Sequence, residues 1–232
     1  MSFRKIGIIG LGLMGGSILK GLEGKIEVVQ GDLDRLDEID VLLLAVPISA
    51  ILEIGEKISK LPLARPLVVI DVGSVKGEIA HCFEKWTKGP LQFVATHPMA
   101  GKEQSGFEHS DPKLFQGATW VVTPHKKNSE ATLLDVEAII RLLGAHPIRM
   151  EAEIHDKRAA LVSHVPYILS KALLHFVAED DPQSIEMAGP GFKSMTRLGK
   201  DNPALHEEIG IYNRKNIKPT LKKLIAFLEK IE

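Results

Sequence analysis

The stretch KIGIIGLGLMGGS, residues 5–17, decides how this chain is read. Lys5 to Ile9 is a short β-branched run, and Gly10-Leu11-Gly12-Leu13-Met14-Gly15 follows it at once. In a strand–turn–helix unit the first glycine of GxGxxG permits the tight turn. The second lets a pyrophosphate approach the backbone, and the third lets the helix pack on the strand. The exposed N–H groups and the dipole of the helix then attract phosphate oxygens. A glycine turn alone is a common feature, but its place at the first strand–helix junction points to a dinucleotide.

Strand-like and helix-like runs alternate outward from that stretch, the pattern of a parallel α/β sheet. Strands are expected at Lys5–Gly10, Val41–Val46, Leu67–Asp71, Phe93–Thr96, Trp120–Thr123 and His146–Arg149, with helices at Gly15–Glu23, Ala50–Leu61, Lys76–Trp86 and Ser129–Leu143. The acid that usually holds the ribose falls about 20 residues beyond the glycines, and Asp32 stands there. Only Leu33–Ile39 separates Asp32 from the next strand, too little for a full helix and a further strand. Either Ile26–Gly31 is the second strand with Asp32 at its end, or that strand is lost. Asp32 and Asp34 read equally as solvated loop residues or helix caps. The first half of this Rossmann-type domain is therefore expected to be shortened.

After Met150 the pattern becomes helical. Leu161, Val162, Val165, Ile168, Leu169, Ala172, Leu173, Phe176 and Val177 recur along one side. The tail repeats this with Leu221, Leu224, Ile225, Leu228 and Ile231, and Pro219 fits a first helical position. The division expected is a nucleotide-binding domain over residues 1–150 and an all-helical domain over 151–232, part of whose wide apolar stripe is buried against a second copy.

The chain has 232 residues, 44% hydrophobic and 25% charged, with a net charge of −1. So small a charge gives no global attraction to nucleic acid or anionic membrane, and an anionic ligand must be held by local charges. Arg4 and Lys5 before the apolar stretch Ile6–Ile18 superficially resemble a signal peptide, but five glycines and Ser17 interrupt it. The run Val41–Ile48 is too short to span a bilayer. The lone Cys82 cannot form an internal disulfide, which fits a reducing compartment, and a soluble cytoplasmic protein is expected. The nine histidines show no HExxH spacing, so no metal is expected.

Chemistry-bearing residues gather where strands end. DVGSVKG, from Asp71, follows one apolar run, and HPMAG, from His97, follows another. Ligands of open parallel sheets bind beyond the carboxyl ends of the strands, so Ser74 and His97 would face one crevice and could deprotonate an alcohol. Taken singly, Ser74 reads as a helix N-cap and His97 as a residue at a strand stopped by Pro98. His164 and Tyr167 flank Pro166 within one helical turn. Proline inside a helix costs about 3 kcal/mol, so the segment reads either as a kink with a functional purpose or as one that helps helices pack. Arg197 closes a glycine-rich turn and either grips a carboxylate through its fork or forms a surface ion pair.

Taken in order, GLGLMGGS (from Gly10), LLLAVP (from Leu42), DVGSVKG, HPMAG, SHVPY (from Ser163) and AGPGFKSMTR (from Ala188) resemble the prephenate/arogenate dehydrogenase family over nearly the whole chain. The resemblance implies a Rossmann domain, a helical dimerisation domain and oxidative decarboxylation with NAD or NADP. It makes His97 the base for the substrate hydroxyl, Ser74 its orienting partner, and Arg197 the cation for a substrate carboxylate. Glu103 becomes a gating or polar contact, and His164 and Tyr167 lie at the substrate. Gly10, Gly12, Leu13, Met14, Gly15, Asp32, Val46 and Pro47 become cofactor contacts, and a homodimer is implied. Many relatives carry histidine at the place of Tyr167, aspartate at that of Ser194 and tryptophan at that of His206, which leaves prephenate and arogenate both open. No regulatory domain is expected after Glu232. Two rivals are a 3-hydroxyacid dehydrogenase, whose catalytic lysine would be Lys157 or Lys171, and a non-catalytic NAD(P)-sensing dimer.

Overall fold

The computed structural model describes residues 3–102, 104–200 and 202–231. They form two compact units, Met1–Gly101 with Ser105–His155, and Lys102–Gln104 with Asp156–Glu232.

The first unit is built on β1 (Lys5–Ile9), α1 (Leu13–Leu22), β2 (Glu27–Gln30), β3 (Val41–Leu44), α2 (Ile48–Ser59), β4 (Leu67–Asp71), α3 (Gly77–Trp86), β5 (Leu91–Pro98), β6 (Thr119–Thr123), α4 (Glu130–Leu142) and β7 (His146–Arg149). These strands make one sheet in the order β2-β1-β3-β4-β5-β6-β7. Ile6, Ile8, Val41, Leu43, Val68, Ile70 and Val94 share one buried cluster with Ile18 and Leu22 of α1 and Val136, Ile139 and Ile140 of α4. On the other face Phe83 of α3 meets Phe93 with ring centroids 4.7 Å apart. Buried on both faces, β3 and β4 have no polar alternation, which is why they read as continuous apolar runs.

The second strand is present: β2 pairs parallel with β1, Ile8 opposite Gln30. A 3-10 stretch, Leu33–Glu38, then leads directly to β3, so the half-sheet is shortened by the strand that would lie beyond β2. The parallel pattern expected throughout fails once. β6 runs antiparallel to β5, with His97 opposite Val121 and Pro98 opposite Trp120. Parallel neighbours require a crossover, usually a helix. Between β5 and β6 the described secondary structure is only a 3-10 turn, Phe107–His109, so the chain returns along the strand it left. That pairing also carries β5 to Pro98, two residues past its expected end.

The second unit takes in the rest of one long helix and three more. α5 (Ala152–Ala159) and α6 (Val165–Asp180) are joined by a π turn at Ala160–His164, where the Val165 N–H reaches back to the Ala160 carbonyl. The wider turn comes immediately before Pro166, whose missing N–H interrupts the hydrogen-bond ladder inside this long helix. α7 (Pro190–Met195), α8 (Pro203–Tyr212) and α9 (Arg214–Leu228) follow. Pro219 lies inside α9, not at its first position. The helix starts earlier because Asn213 is anchored: its carbonyl accepts from Asn216 and Ile217, and its buried side chain is held from two other segments.

Candidate active site

The glycine turn fits a pyrophosphate on the evidence of its own crowding. Gly10 has φ +96, and a Cβ there would stand 2.3 Å from the Ala45 carbonyl oxygen. A Cβ on Gly15 would stand 2.0 Å from the Gly10 carbonyl oxygen. A Cβ on Gly12 would meet no protein atom within 4 Å. Two glycines are thus demanded by the fold and the third opens space at the start of α1, whose N-cap, Gly12, supplies no side-chain acceptor. Leu13 and Met14 open that helix. The sheet order reverses between β1 and β3, the switch point where ligands of such sheets bind. Val46 and Pro47, just past β3, share this edge, and a Cβ on Gly10 would come within 2.7 Å of the Val46 side chain.

Asp32 stands just past the end of β2 and also caps the segment that follows. The Gly31 N–H donates to the Ile8 carbonyl at 2.8 Å, extending the β1–β2 register so that Asp32 comes level with the Gly10 turn. Its Oδ1 also accepts from the Asp34 N–H at 3.0 Å, capping the 3-10 stretch. Nearby Arg35 is engaged by both oxygens of Glu38, at 2.8 and 2.6 Å.

Behind Ser74 and His97 lies a buried ionic network. Lys76 and Asp71 are both fully buried and form an ion pair, and the ammonium also donates to the Thr96 carbonyl at 2.7 Å. The Asp71 carboxylate accepts from the Gly73 N–H at 2.7 Å and the Thr96 N–H at 3.0 Å. Thr96 Oγ1 donates to the Asp71 carbonyl and accepts from Trp120 Nε1 at 2.9 Å. The ends of β4 and β5 are thereby fixed together. In register, Ile70 pairs with Val94, so Ser74, past the end of β4, and His97, in the last residues of β5, lie at the same edge of the sheet. Ser74 is partly buried in the bend between β4 and α3. The N-cap reading of Ser74 fails, since α3 begins at Gly77 with Lys76 in the cap position.

His97 is 8% exposed, and its Nδ1 lies 2.8 Å from Nε2 of His155, itself 2% exposed. The rings meet edge to face, centroids 5.0 Å apart. His155 was missed in the sequence because a lone histidine at the start of a helix carries no motif. Asp71 and Lys76 were read as flanks of Ser74, and only their burial reveals their role.

In the helical unit, His164 is buried and Asn213 Nδ2 lies 3.0 Å from its Nδ1. The orientation of that amide is fixed, because Nδ2 also donates to the Asp156 carbonyl at 2.8 Å and Oδ1 accepts from Asn216 at 2.7 Å. His164 Nδ1 therefore accepts, and its neutral ring carries the proton on Nε2. Tyr167 is buried and stacks on His206, centroids 3.3 Å apart and planes 4° from parallel. Burial, with a smaller contribution from Lys171, pushes the His206 imidazole down to about 4, so the ring is neutral near pH 7. Arg197 is exposed on a turn anchored on both sides. Buried Thr196 Oγ1 donates to the Phe192 carbonyl at 2.8 Å, and the Gly199 N–H donates to Ser170 Oγ at 2.7 Å. Glu103 lies outside the described residues.

Comparison with known proteins covers both units. Residues 3–149 match the prephenate dehydrogenase nucleotide-binding domain and residues 151–232 the prephenate dehydrogenase dimerization domain. A prephenate dehydrogenase of Lactococcus lactis is 30% identical across 90% of this chain, which spans 65% of that relative's length. A solved prephenate dehydrogenase of A. aeolicus, in complex with hydroxyphenyl propionate and NAD+, is 27% identical, with a TM-score of 0.84 over 99% of this chain and 90% of that one. The Synechocystis arogenate dehydrogenase structure is likewise 27% identical, with a TM-score of 0.80 over 98% of this chain and 90% of that one. With both domain profiles matched in order along a dinucleotide-binding sheet and a helical unit, the chain belongs to the prephenate dehydrogenase family.

Proposed function

We propose that this chain catalyses the NAD(P)-dependent oxidative decarboxylation of prephenate or arogenate in tyrosine biosynthesis. The observation that carries the reading is a buried histidine on the carboxyl edge of a sheet whose glycine turn fits a pyrophosphate, in a chain matched by both family domains. Residues 1–150 hold the cofactor and residues 151–232 supply substrate contacts and the dimer interface.

The cofactor, when bound, supplies the hydride acceptor. Gly10, Gly12, Leu13, Met14 and Gly15 hold its pyrophosphate through backbone N–H groups, with Val46 and Pro47 beside them. Asp32 takes the ribose hydroxyls. An anionic carboxylate there opposes a 2′-phosphate, and Arg35, engaged by Glu38, is not poised to offset it, so NAD is the preferred form. His97 accepts the substrate hydroxyl proton while Ser74 orients the hydroxyl. With hydride lost from the same carbon to a bound cofactor and carbon dioxide released, the ring would become aromatic, its oxygen taking back the proton that His97 holds. Arg197 pairs with a substrate carboxylate, a bidentate task for which guanidinium is suited. His164 offers its Nε2 proton as a donor, and Tyr167, stacked on His206, borders the substrate; Glu103 adds a polar contact.

The protein works as a cytoplasmic homodimer. The helix spanning Ala152–Asp180 is long and apolar enough to cross a bilayer. Its exposed residues fall in the segment matched by a dimerization domain, which supports burial against a second copy instead.

Initial rates of nicotinamide reduction with prephenate and with arogenate, each with NAD and with NADP, test the reading. One strongly favoured pair, with NAD, is expected. Cofactor binding without turnover of either substrate would return the chain to the sensor reading.

A further inference from the structure

The 2.8 Å contact between His97 Nδ1 and His155 Nε2 requires one nitrogen to donate and the other to accept. The two arrangements have opposite chemical consequences. If His155 donates, the neutral His97 carries its proton on Nε2 and presents a donor there, unable to act as a base. If His97 donates from Nδ1, its Nε2 keeps a lone pair and can take a proton.

Burial restricts the charge state as well. Both rings lie almost entirely out of water, and two adjacent imidazolium ions there would repel strongly. Only one ring of the pair can hold an extra proton. The pair therefore begins with two ring protons, one on each imidazole, and holds three after His97 takes one from a substrate hydroxyl. In that second state the His97 Nδ1–H still donates to His155, and the new positive charge keeps an acceptor.

We propose that His155 is a positioning residue whose Nε2 lone pair fixes the Nδ1–H tautomer of His97. The role is that of the buried carboxylate in an acid–histidine pair, played by a neutral ring. A neutral acceptor holds the tautomer without fixing a negative charge beside a substrate that brings carboxylates of its own. This rests on the base assignment for His97, and the test separates the two.

The tautomer is measured first, by nitrogen-15 NMR of histidine-labelled wild-type protein without substrate. The expected result is a protonated Nδ1 and a lone-pair Nε2 on His97. A proton on Nε2 overturns the proposal, whatever the enzyme turns over. Kinetics then compare His155→Gln, whose amide oxygen can replace Nε2 as acceptor, with His155→Phe, which offers none. His155→Phe is expected to lose roughly 10²–10³-fold in kcat, with KM and NAD affinity changed less than about threefold. His155→Gln is expected to stay within about tenfold of wild type. Equal kcat in wild type and a folded His155→Phe would also overturn it. A wild type inert toward prephenate and arogenate would refute the function reading while the NMR result still decides the tautomer.

Discussion

The two units solve the burial of apolar surface in opposite ways. In the nucleotide unit, Ile6, Ile8, Leu42, Leu43, Phe83 and Phe93 are fully buried within the unit. In the helical unit, Leu161 is 61% exposed, Val162 69% and Phe176 62%, with Ile211 and Phe227 similarly bare. Singly exposed apolar residues need no explanation, but several in one small helical unit mark a surface built for contact. The sites differ in the same sense. The first unit makes its ligand-binding edge from backbone that only glycine allows and from a buried ionic lock. The second orders its candidate residues through side chains, Asn213 on His164 and Tyr167 on His206. The first unit covers most of its apolar surface with its own chain, and the second leaves a face of the kind that the proposed second copy would cover.

The largest expected effect divides the chemistry between the units. If His97 is the base, as proposed, His97→Asn should lower kcat by roughly 10²–10⁴-fold, with NAD affinity retained. Arg197→Ala should instead mainly raise KM, because a guanidinium in the proposed role would bind the substrate before and during reaction alike. Steady-state kinetics and cofactor titration check both. A full rate in His97→Asn removes the base assignment, and an unchanged KM removes Arg197 from the substrate site.

Stability should divide as sharply. Lys76→Met leaves the Asp71 carboxylate buried beside two N–H donors but without its cation, at an expected cost of about 3–5 kcal/mol. Both tryptophans, Trp86 and Trp120, lie in the nucleotide unit, so their fluorescence during urea unfolding reports that unit alone. Adding Asp71→Asn should recover part of the loss, since its amide removes the orphaned charge and keeps an oxygen for one of the N–H donors. No recovery would mean that the network matters for something other than charge pairing.

A smaller effect tests the exposed face. Leu161→Glu with Val162→Glu should weaken self-association by about 2–4 kcal/mol, read by sedimentation equilibrium. The tryptophan unfolding midpoint should barely move. An unaltered dimer would place the interface elsewhere on the helical unit.

Legibility in the sequence followed the same division. Backbone-driven features could be read early: the glycine turn, the buried runs of β3 and β4, and the short step from Asp32 to Val41. Each is a local pattern: a steric demand for glycine, an unbroken apolar run, or a segment too short for a helix and a further strand. What escaped depended on distant partners. Nothing in the Leu91–Pro98 run announces that its neighbour β6 returns antiparallel, because that follows from the missing crossover helix. Pro219 looked like a helix start because Asn213, held by the Asp156 carbonyl and His164, could not be seen to start it earlier. Lys76 and His155 are ordinary letters until burial brings them to Asp71 and His97. For Asp32 the sequence left strand end and helix cap both open, and the structure shows it in both places, past β2 and capping the 3-10 stretch.

The smallest expected effect comes from His206 and separates the units by pH. Its folded-state value, about 4, lies below the ordinary histidine value of 6.5, because burial against Tyr167 disfavours the charged ring. The unfolded chain therefore binds a proton more readily than the folded one below pH 6.5. Stability is full above that value and drains away as the pH falls toward 4. Because the ring is only half-buried, solvent screening reduces the expected loss to about 1 kcal/mol. Thermal melts of wild type and His206→Phe between pH 7 and 4.5, followed by circular dichroism at helical wavelengths, isolate this contribution from carboxylates that titrate in both. The wild-type curve should fall more steeply, while the phenyl ring of the variant keeps the stack on Tyr167 and has no proton to gain. Parallel curves would mean that the imidazole charges in place, and that the contact with Tyr167 is open to water.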